Sequence, residues 1–542
     1  MANRDCYILG INGGVRLGYQ DVSAALLKNG RIAAAVEEER LNRIKHSPGQ
    51  LPELSVREVL DLEGITLRDI SGVASHGSTW GDEYENVLKD YLSCRFGFSP
   101  PVKRYHHHLC HAASAYFASG YDEALVLTTD ASGDGDSLHA YTGENGKLKL
   151  LDKEPRGNSL GIFYSMMTQF CGFTRDTDEY KLMGLAPYGT PGRVDTSDIV
   201  KVSGGRYTVN KKYFKQAEPG QGQPSRQQAV YTRSLIDLLG APRMPGAPLT
   251  GLYKDTAAAA QETLEKALLA LLERYCRKTG LSSICMAGGV ALNCAANRMI
   301  LKQDWAEKLF VQPAAGDSGL SLGAAYLMSA EEGFKPEIMS TACLGSSYDN
   351  REIEQVLQGC GVRYRESSDT SEEAASMIAD NKVIGWFQGR SEYGPRALGS
   401  RSILGNALAP EMKELINSKI KFREGFRPFC PAVLEEDFDE FFRGKKKSSP
   451  FMTINYDVIS RKIPAVTHID STARIQTVSR DENPLFHRLL CILKENTGYG
   501  VCVNTSFNRS REPIVNSPRD ALSVFYGSGL DSLVIGDFIV EK

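Results

Sequence analysis

Glu123 to Asp136 reads EALVLTTDASGDGD, an apolar strand running directly into a loop of aspartate and glycine. The next stretch, LHAYTGENGKLKLL (Leu138–Leu151), holds two apolar runs joined by Asn-Gly, a dipeptide that tolerates the left-handed backbone of a tight hairpin. A comparable unit opens the chain. CYILGIN (Cys6–Asn12) ends in Gly13-Gly14, and SAALLKNG (Ser23–Gly30) turns at Asn-Gly into RIAAAVEEER (Arg31–Arg40). A further junction is SSICMAGGVALNCAANRMI (Ser282–Ile300), a strand, a Gly-Gly turn and a helix of small residues.

One glycine-rich turn says little, because glycine serves any tight turn. Three of them, near residues 10–14, 130–136 and 286–290, each end a buried strand, and two start from hairpin-like sheets. That pattern predicts an actin-like or sugar-kinase-like ATPase fold, in which hairpin loops from two related halves cradle phosphates through backbone N–H groups. Thr256–Gly280 (TAAAAQETLEKALLALLERYCRKTG) is an Ala- and Leu-rich helix with basic residues in its last turn and glycine after it. Residues 190–255 are polar and rich in Pro, Gly and Gln (EPGQGQPSRQQ), and are expected to be an insertion with a mobile tip.

At 542 residues the chain calls for two or more domains, at roughly 100–200 residues each. A break in pattern near Ala342–Leu357 puts the boundary between 1–342 and 343–542. With 63 basic and 66 acidic residues, no overall field would draw the molecule onto nucleic acid or an anionic membrane. No window approaches the ~18 apolar residues of a membrane span, and the first apolar run is too short for a signal peptide. Twelve scattered cysteines without a C-x-x-C pair suit reduced thiols, so a cytoplasmic location is expected.

The second half differs in character. GWFQGRSEYGPRALGSRSILGNA and KIKFREGFRPFCPAVL carry Arg390, Arg396, Arg401, Lys419, Lys421, Arg423 and Arg427 among turns and aromatics. Arginines restricted and partly buried in this way require anionic partners, which predicts a basic cleft for a phosphate-bearing small molecule. In the first half, four of the nine histidines fall in HHHLCH, His106–His111. On a helix, His107 and His111 project from one face, the spacing of a metal-ligand pair. His108 and His111 are also compatible, and spacing alone does not choose between them.

The motifs also occur in a recognisable order. It runs from QDVSAALLKNGRIAAAVEEERLNRIKH through HHLCHAASAYFAS, TTDASGDGDS, SLGIFYSMMTQFCGF, EYKLMGLAPYG, AGGVALNCAAN and GDSGLSLGAAY. The second half adds GRSEYGPRALGSRSIL, KFREGFRPFCPAVL, HIDSTARIQTV and VNTSFNRSREPIV. Over nearly its whole length the chain resembles the O-carbamoyltransferase family of nodulation protein U, the cephamycin hydroxymethylcephem O-carbamoyltransferase and the tobramycin O-carbamoyltransferase. The resemblance implies an actin-like (ASKHA, Kae1-like) ATPase-type domain followed by a YrdC-like domain, α/β and α+β in class. It implies ATP-dependent transfer of the carbamoyl group of carbamoyl phosphate, through a carbamoyl-adenylate, to a hydroxyl of a small acceptor. That acceptor is expected to be a natural product or secondary metabolite, such as an antibiotic or toxin. Neither nucleic acid nor membrane is an expected partner, and a homodimer is left open.

By motif match, the resemblance places carbamoyl phosphate on Arg396, Lys421 and Arg427, with Arg474, Asn504, Ser506 and Asn508 beside them. It places the nucleotide on Asp130, Gly133, Asp134, Gly288, Gly289 and Asn293, with Glu179 and Lys181 lining the same cleft. Tyr180 stands where relatives commonly have glycine. The pattern H-H-x-x-H selects His107 and His111 as metal ligands, completed by Asp130 and Asp317. Two imidazoles and two carboxylates suit Fe²⁺ best, with Mn²⁺ or Mg²⁺ as alternatives, rather than a closed zinc site.

The opening motif reads Gln20-Asp21-Val22-Ser23 where relatives typically have His-Asp-x-Ser. Glutamine cannot take a proton, so Asp21, Glu38 or a metal-bound water is expected to act as the base toward the acceptor, with His46 a further residue on that side. A tRNA threonylcarbamoyltransferase of the same fold would lack the second half and would carry a basic surface. A hydrogenase-maturation carbamoyltransferase would carry zinc-finger cysteines. A non-catalytic actin-like scaffold would have no use for both a metal cluster and a second anion site.

Overall fold

The computed structural model describes residues 5–14, 20–215 and 228–542. Most of the EPGQGQPSRQQ tip therefore lies outside the described residues. The first sheet holds β1 (Tyr7–Asn12), β2 (Ser23–Lys28), β3 (Arg31–Glu37), β4 (Ile70–Ser75) and β5 (Val102–Arg104) in the order β3-β2-β1-β4-β5. The first three strands form an antiparallel meander, and β4 and β5 add on in parallel.

The second sheet holds β6 (Glu123–Gly133), β7 (Asp136–Glu144) and β8 (Lys147–Pro155). A small hairpin follows, β9 (Val200–Ser203) and β10 (Arg206–Val209), before β11 (Ser283–Ala287) and β12 (Lys308–Val311) complete the sheet. Its order is β12-β11-β6-β7-β8, again a meander of three with two parallel strands on the side of the first. The same five-strand plan thus occurs twice, the paired halves of an actin-like core. Both Asn-Gly turns have positive φ at both residues, 52° and 84° at Asn29-Gly30 and 51° and 73° at Asn145-Gly146. This backbone matches the twist of a two-residue hairpin.

The helix Gly319–Glu331 runs between the two sheets, against β1 on one side and the helix His107–Ser119 on the other. The approach is close: a Cβ on Gly323 would lie 1.8 Å from the Cys110 carbonyl oxygen, so only glycine fits. Both helices start at the strand ends where the glycine-rich loops emerge, which brings their first residues together.

The remainder is built on an eight-stranded mixed sheet of β13 (Tyr364–Glu366), β14 (Ile384–Phe387), β15 (Arg401–Asn406), β16 (Cys430–Leu434), β20 (Gln476–Val478), β21 (Val501–Ser506), β22 (Ser532–Ile535) and β23 (Phe538–Glu541). Its order is β13-β23-β22-β14-β15-β21-β16-β20, and β17 (Phe442–Arg443), β18 (Asn455–Val458) and β19 (Thr472–Arg474) form a smaller sheet beside it. The chain between the two parts is pinned to both. Ala35 N–H donates to the Leu344 carbonyl at 3.0 Å, and Tyr393 N–H donates to the Ala342 carbonyl at 2.7 Å. Among the described residues no helix is long and apolar enough to cross a membrane.

Candidate active site

His107 and His111 lie in the first two turns of the helix His107–Ser119, capped by the His106 side chain, which accepts from His108 N–H. Asp130 ends the straight part of β6, and Asp317 precedes the helix Gly319–Glu331. The Nε2 atom of His107 is 3.5 Å from Asp130 Oδ2 and 3.8 Å from Asp317 Oδ1. That of His111 is 3.2 Å and 3.5 Å from the same atoms. The four ligand atoms all lie within 4.8 Å of one another, a grouping that could hold a metal ion. The residues present therefore fit a divalent cation. Burial disfavours a charged His111, but Asp130 and Asp317 outweigh it and lift its pKa to about 9. Burial likewise opposes an ionised Asp130, yet the two imidazoles hold it well below the usual carboxylate range. Asp317, buried beside Asp130, is pushed up.

His108 does not join this group. Its Nδ1 is 2.9 Å from Thr128 Oγ1, and its ring stacks on His139 at 4.6 Å, with His106 on His139 at 4.7 Å. His108 therefore does not converge with His111 on Asp130 and Asp317 in this arrangement. His139 is a residue that spacing could not reveal, since it joins His106 and Asp136 only through the register of β7.

The aspartate and glycine loop serves the histidines as well as any phosphate. A Cβ on Gly133 would lie 2.0 Å from the His107 ring, so glycine is needed there for His107 to sit where it does. The Asp134 carboxylate accepts from His107 N–H at 2.9 Å and from the Thr79 hydroxyl at 2.7 Å. It caps the helix rather than facing a phosphate. The Asn293 side chain is also committed: it caps the helix Cys294–Leu301 through Ala296 N–H and exchanges two 2.9 Å hydrogen bonds with Gln261. In the Gly288-Gly289 turn only backbone is left to meet a ligand, and a Cβ on Gly289 would lie 3.3 Å from Asp130 Oδ1.

The arginines divide into two sets. Arg390 donates to the carbonyls of Gly345, Ala33 and Leu344. Arg401, wholly buried, lies 3.7 Å over the Phe387 ring and donates to the carbonyls of Gln388, Gly389, Ser400, Ser346 and Asn516. The expectation that arginines held in this way require anions fails for these two, because their hydrogen-bond partners are backbone carbonyls. Lys419 is exposed. Lys421 is buried and bonds to the oxygens of Ser506 and Asn508, shaping the NTSFN turn. Asn504 is buried too and donates to Gln476 Oε1 at 2.8 Å.

Arg396, Arg423, Arg427 and Arg474 make the other set. Among the described residues no hydrogen bond or ion pair reaches the Arg396 guanidinium, and burial together with nearby Arg474 lowers its pKa to about 10. Burial and Arg427 lower Arg423 to about 9. Burial, Arg423 and Arg427 push Lys421 well below its ordinary value. Burial is the larger cause at Arg396, Arg423 and Lys421, and the neighbouring cations add to it. At Arg474 burial is outweighed by nearby Cys430 and Cys294, which raise the pKa. Cations crowded in this way suit an anion. Arg474 donates from Nε and Nη2 to Cys430 Sγ at 3.1 and 2.9 Å. Cys294, directly after the Gly288–Asn293 turn, feels both Arg474 and Arg396 against the larger upward pull of burial. The turn therefore lies between Asp130 on one side and the arginines on the other. Lys181 bridges Asp178 and Glu424, each at 3.2 Å, and Arg427 stacks 4.7 Å over the Tyr180 ring. The side chain in place of glycine at position 180 is thus a tie between the two halves.

On the opposite side, Asp21 Oδ1 is 2.6 Å from His46 Nδ1, and Asp21 Oδ2 would be 3.7 Å from a Cβ on Gly316, the neighbour of Asp317. Glu38 is turned away: it accepts from Leu54 N–H, Ser55 N–H and the Ser55 hydroxyl, so it is no candidate base.

Residues 74–326 match the family described as Carbamoyltransferase N-terminus, and residues 375–542 match Carbamoyltransferase C-terminus. An uncharacterized protein of Synechocystis sp. is 36% identical over 98% of this chain and 96% of its own length. Nodulation protein NolNO of Sinorhizobium fredii is 38% identical over 96% of this chain and 79% of its own. A solved structure, component A of Acidaminococcus fermentans (R)-2-hydroxyglutaryl-CoA dehydratase, spans 60% of this chain and 99% of its own at 17% identity, with a TM-score of 0.36. That score adds nothing to what the strand order says. Through both its N-terminal and its C-terminal parts, the chain belongs to the carbamoyltransferase family and is an enzyme of that class.

Proposed function

We propose that this carbamoyltransferase draws its carbamoyl group from carbamoyl phosphate, activates it with ATP as a carbamoyl-adenylate, and passes it to a hydroxyl of a small molecule. The observation that carries this reading is the position of the Gly288–Asn293 turn, with Asp130 of the histidine–carboxylate cluster on one side and, on the other, Arg396 and Arg474, which no carboxylate among the described residues pairs. Such a bracketed backbone turn suits a nucleotide whose phosphates meet cations while its activated end faces the histidines.

A carbamoyl group is a weak electrophile, because its nitrogen donates into the carbonyl. Loss of phosphate from carbamoyl phosphate to water leaves carbamate, whose oxygen attacks the α-phosphorus of ATP and expels pyrophosphate. The acceptor oxygen then bonds to the carbamoyl carbon, AMP leaves, and the hydroxyl proton passes to a base. In this scheme Arg396, Arg427 and Arg474 hold carbamoyl phosphate, while Lys421 shapes the wall of that site by holding Ser506 and Asn508. The Gly288-Gly289 backbone meets the nucleotide, Lys181 and Arg427 share Glu424 at the edge of the cation cluster, and Asp21 is the base. A divalent ion, Fe²⁺ by preference, would be held by His107, His111, Asp130 and Asp317, and would supply Lewis acidity toward a phosphoryl or carbonyl oxygen. The C-terminal part is read as YrdC-like, with its boundary at 342/343, on the strength of its cation cluster.

The test is pyrophosphate release from ATP with and without carbamoyl phosphate. Release that requires carbamoyl phosphate and disappears in Arg396→Ala is expected. ATP turnover indifferent to carbamoyl phosphate would overturn the reading.

A further inference from the structure

Two residues in left-handed backbone conformations face each other beside the histidine–carboxylate cluster. Asp21 has φ 57° and His46 has φ 64°, a region that residues with a Cβ seldom occupy. They are joined twice. Asp21 N–H donates to the His46 carbonyl at 2.8 Å, and the two side chains meet at 2.6 Å through Nδ1 and Oδ1. His46 N–H donates to Glu39 Oε2 at 2.7 Å, and Glu39 in turn is held by Arg40 at 2.7 Å and Lys45 at 2.8 Å. The other ring nitrogen, His46 Nε2, is buried and has no partner among the described residues. A proton there would be stranded, so the ring proton belongs on Nδ1, donated to Asp21. Asp21 Oδ1 is thereby occupied, which leaves Oδ2 on the side of Gly316 and Asp317.

We infer that His46 is the positioning residue of the acceptor step: by fixing Asp21 Oδ1 it aims Oδ2 to receive the proton of the attacking hydroxyl. The inference rests on the proposed function. In that step the hydroxyl oxygen bonds to the carbamoyl carbon, the bond to AMP breaks, and the proton moves to Asp21 Oδ2 and later to solvent. Buried Nε2 takes no part, so His46 orients the base without touching the acceptor.

His46→Gly removes the donor but tolerates the positive φ, and His46→Asn restores both a donor near Nδ1 and the backbone preference. Each variant and the parent enzyme are given ATP and carbamoyl phosphate, with water alone or glycerol in large excess as the surrogate acceptor. Pyrophosphate is followed as the first half-reaction. AMP and carbamoyl glycerol are followed as the second. The expected result is at least about a tenfold fall in the kcat of the second half-reaction for His46→Gly, with KM for glycerol little changed, and recovery to within about threefold in His46→Asn. Equal rates in His46→Gly and the parent, or no recovery in His46→Asn when both variants melt where the parent does, overturn the inference. If the parent releases no pyrophosphate, the proposed function has failed and takes this inference with it. If the parent releases pyrophosphate but the second half-reaction is undiminished in His46→Gly, the inference alone fails.

Discussion

The histidine–carboxylate cluster and the arginine cluster stand on either side of one turn, and they are made in opposite ways. Three of the four donors of the first come from the helix His107–Ser119 and β6, with Asp317 at the foot of the next helix, so rigid elements set their separations. The second is assembled mainly from turns, with cations of identical chemistry pointing to different ends. Arg401 finds five backbone carbonyls, whereas Arg396 finds no partner among the described residues. A guanidinium whose donors meet backbone carbonyls serves the architecture, and one without protein acceptors is left available to a ligand. The contrast shows that burial of an arginine says nothing of its role until its partners are known.

The contrast breaks most readily at those two arginines. Arg396→Ala should lower carbamoyl phosphate-dependent pyrophosphate release by about 10²-fold or more while leaving the melting temperature near that of the parent. Arg401→Ala strands several buried carbonyls and should cost about 3 kcal/mol or more of stability, seen as a large fall in melting temperature. A reversal of these two outcomes would mean that the arginines have been assigned the wrong way round. At the other cluster, Mn²⁺ binding measured by calorimetry should weaken at least about tenfold in His107→Ala and less than about threefold in His106→Ala. Equal loss in both, or in neither, refutes the ligand set.

A smaller effect is set by pH. Burial lowers the His139 pKa to about 4, against the partial opposition of Asp136. The unfolded chain takes up this proton near the ordinary histidine value of about 6.5, the folded protein only near 4. Stability from this group is therefore complete above the unfolded value and is lost as pH falls toward the folded one. Melting temperature should decline across that acid window, and His139→Phe should flatten the decline. The smallest change is expected at the tie between the halves. Tyr180→Leu removes the ring beneath Arg427 and should raise the KM for carbamoyl phosphate by only about two- to fivefold. No change at all would reduce the stack to packing.

Much of the fold was legible because its signals are local. The Asn29-Gly30 and Asn145-Gly146 turns announce themselves by residue type, and the apolar runs on either side supply the strands they join. His107 and His111 share a helical face for the same reason. The choice between His108 and His107 was not legible, because it depends on Thr128 and His139 from another strand. Nor was the role of Asp134, whose carboxylate in an aspartate and glycine loop looks like part of a phosphate site and instead caps a helix. His46 stood out only as a residue near the acceptor motif. Its pairing with Asp21 required two left-handed backbones to meet.

The sequence by itself determined the duplicated hairpin sheets, the helical face of the histidines, the family and the presence of an arginine-rich half. Periodicity, turn chemistry and motif order act over a few residues, or are read along the chain. The tertiary structure alone decided which imidazoles converge, which arginines lack protein acceptors, and which aspartate pairs with His46. These depend on groups hundreds of residues apart reaching within about 3 Å of one another, and hydrogen bonding and desolvation are resolved only at that range.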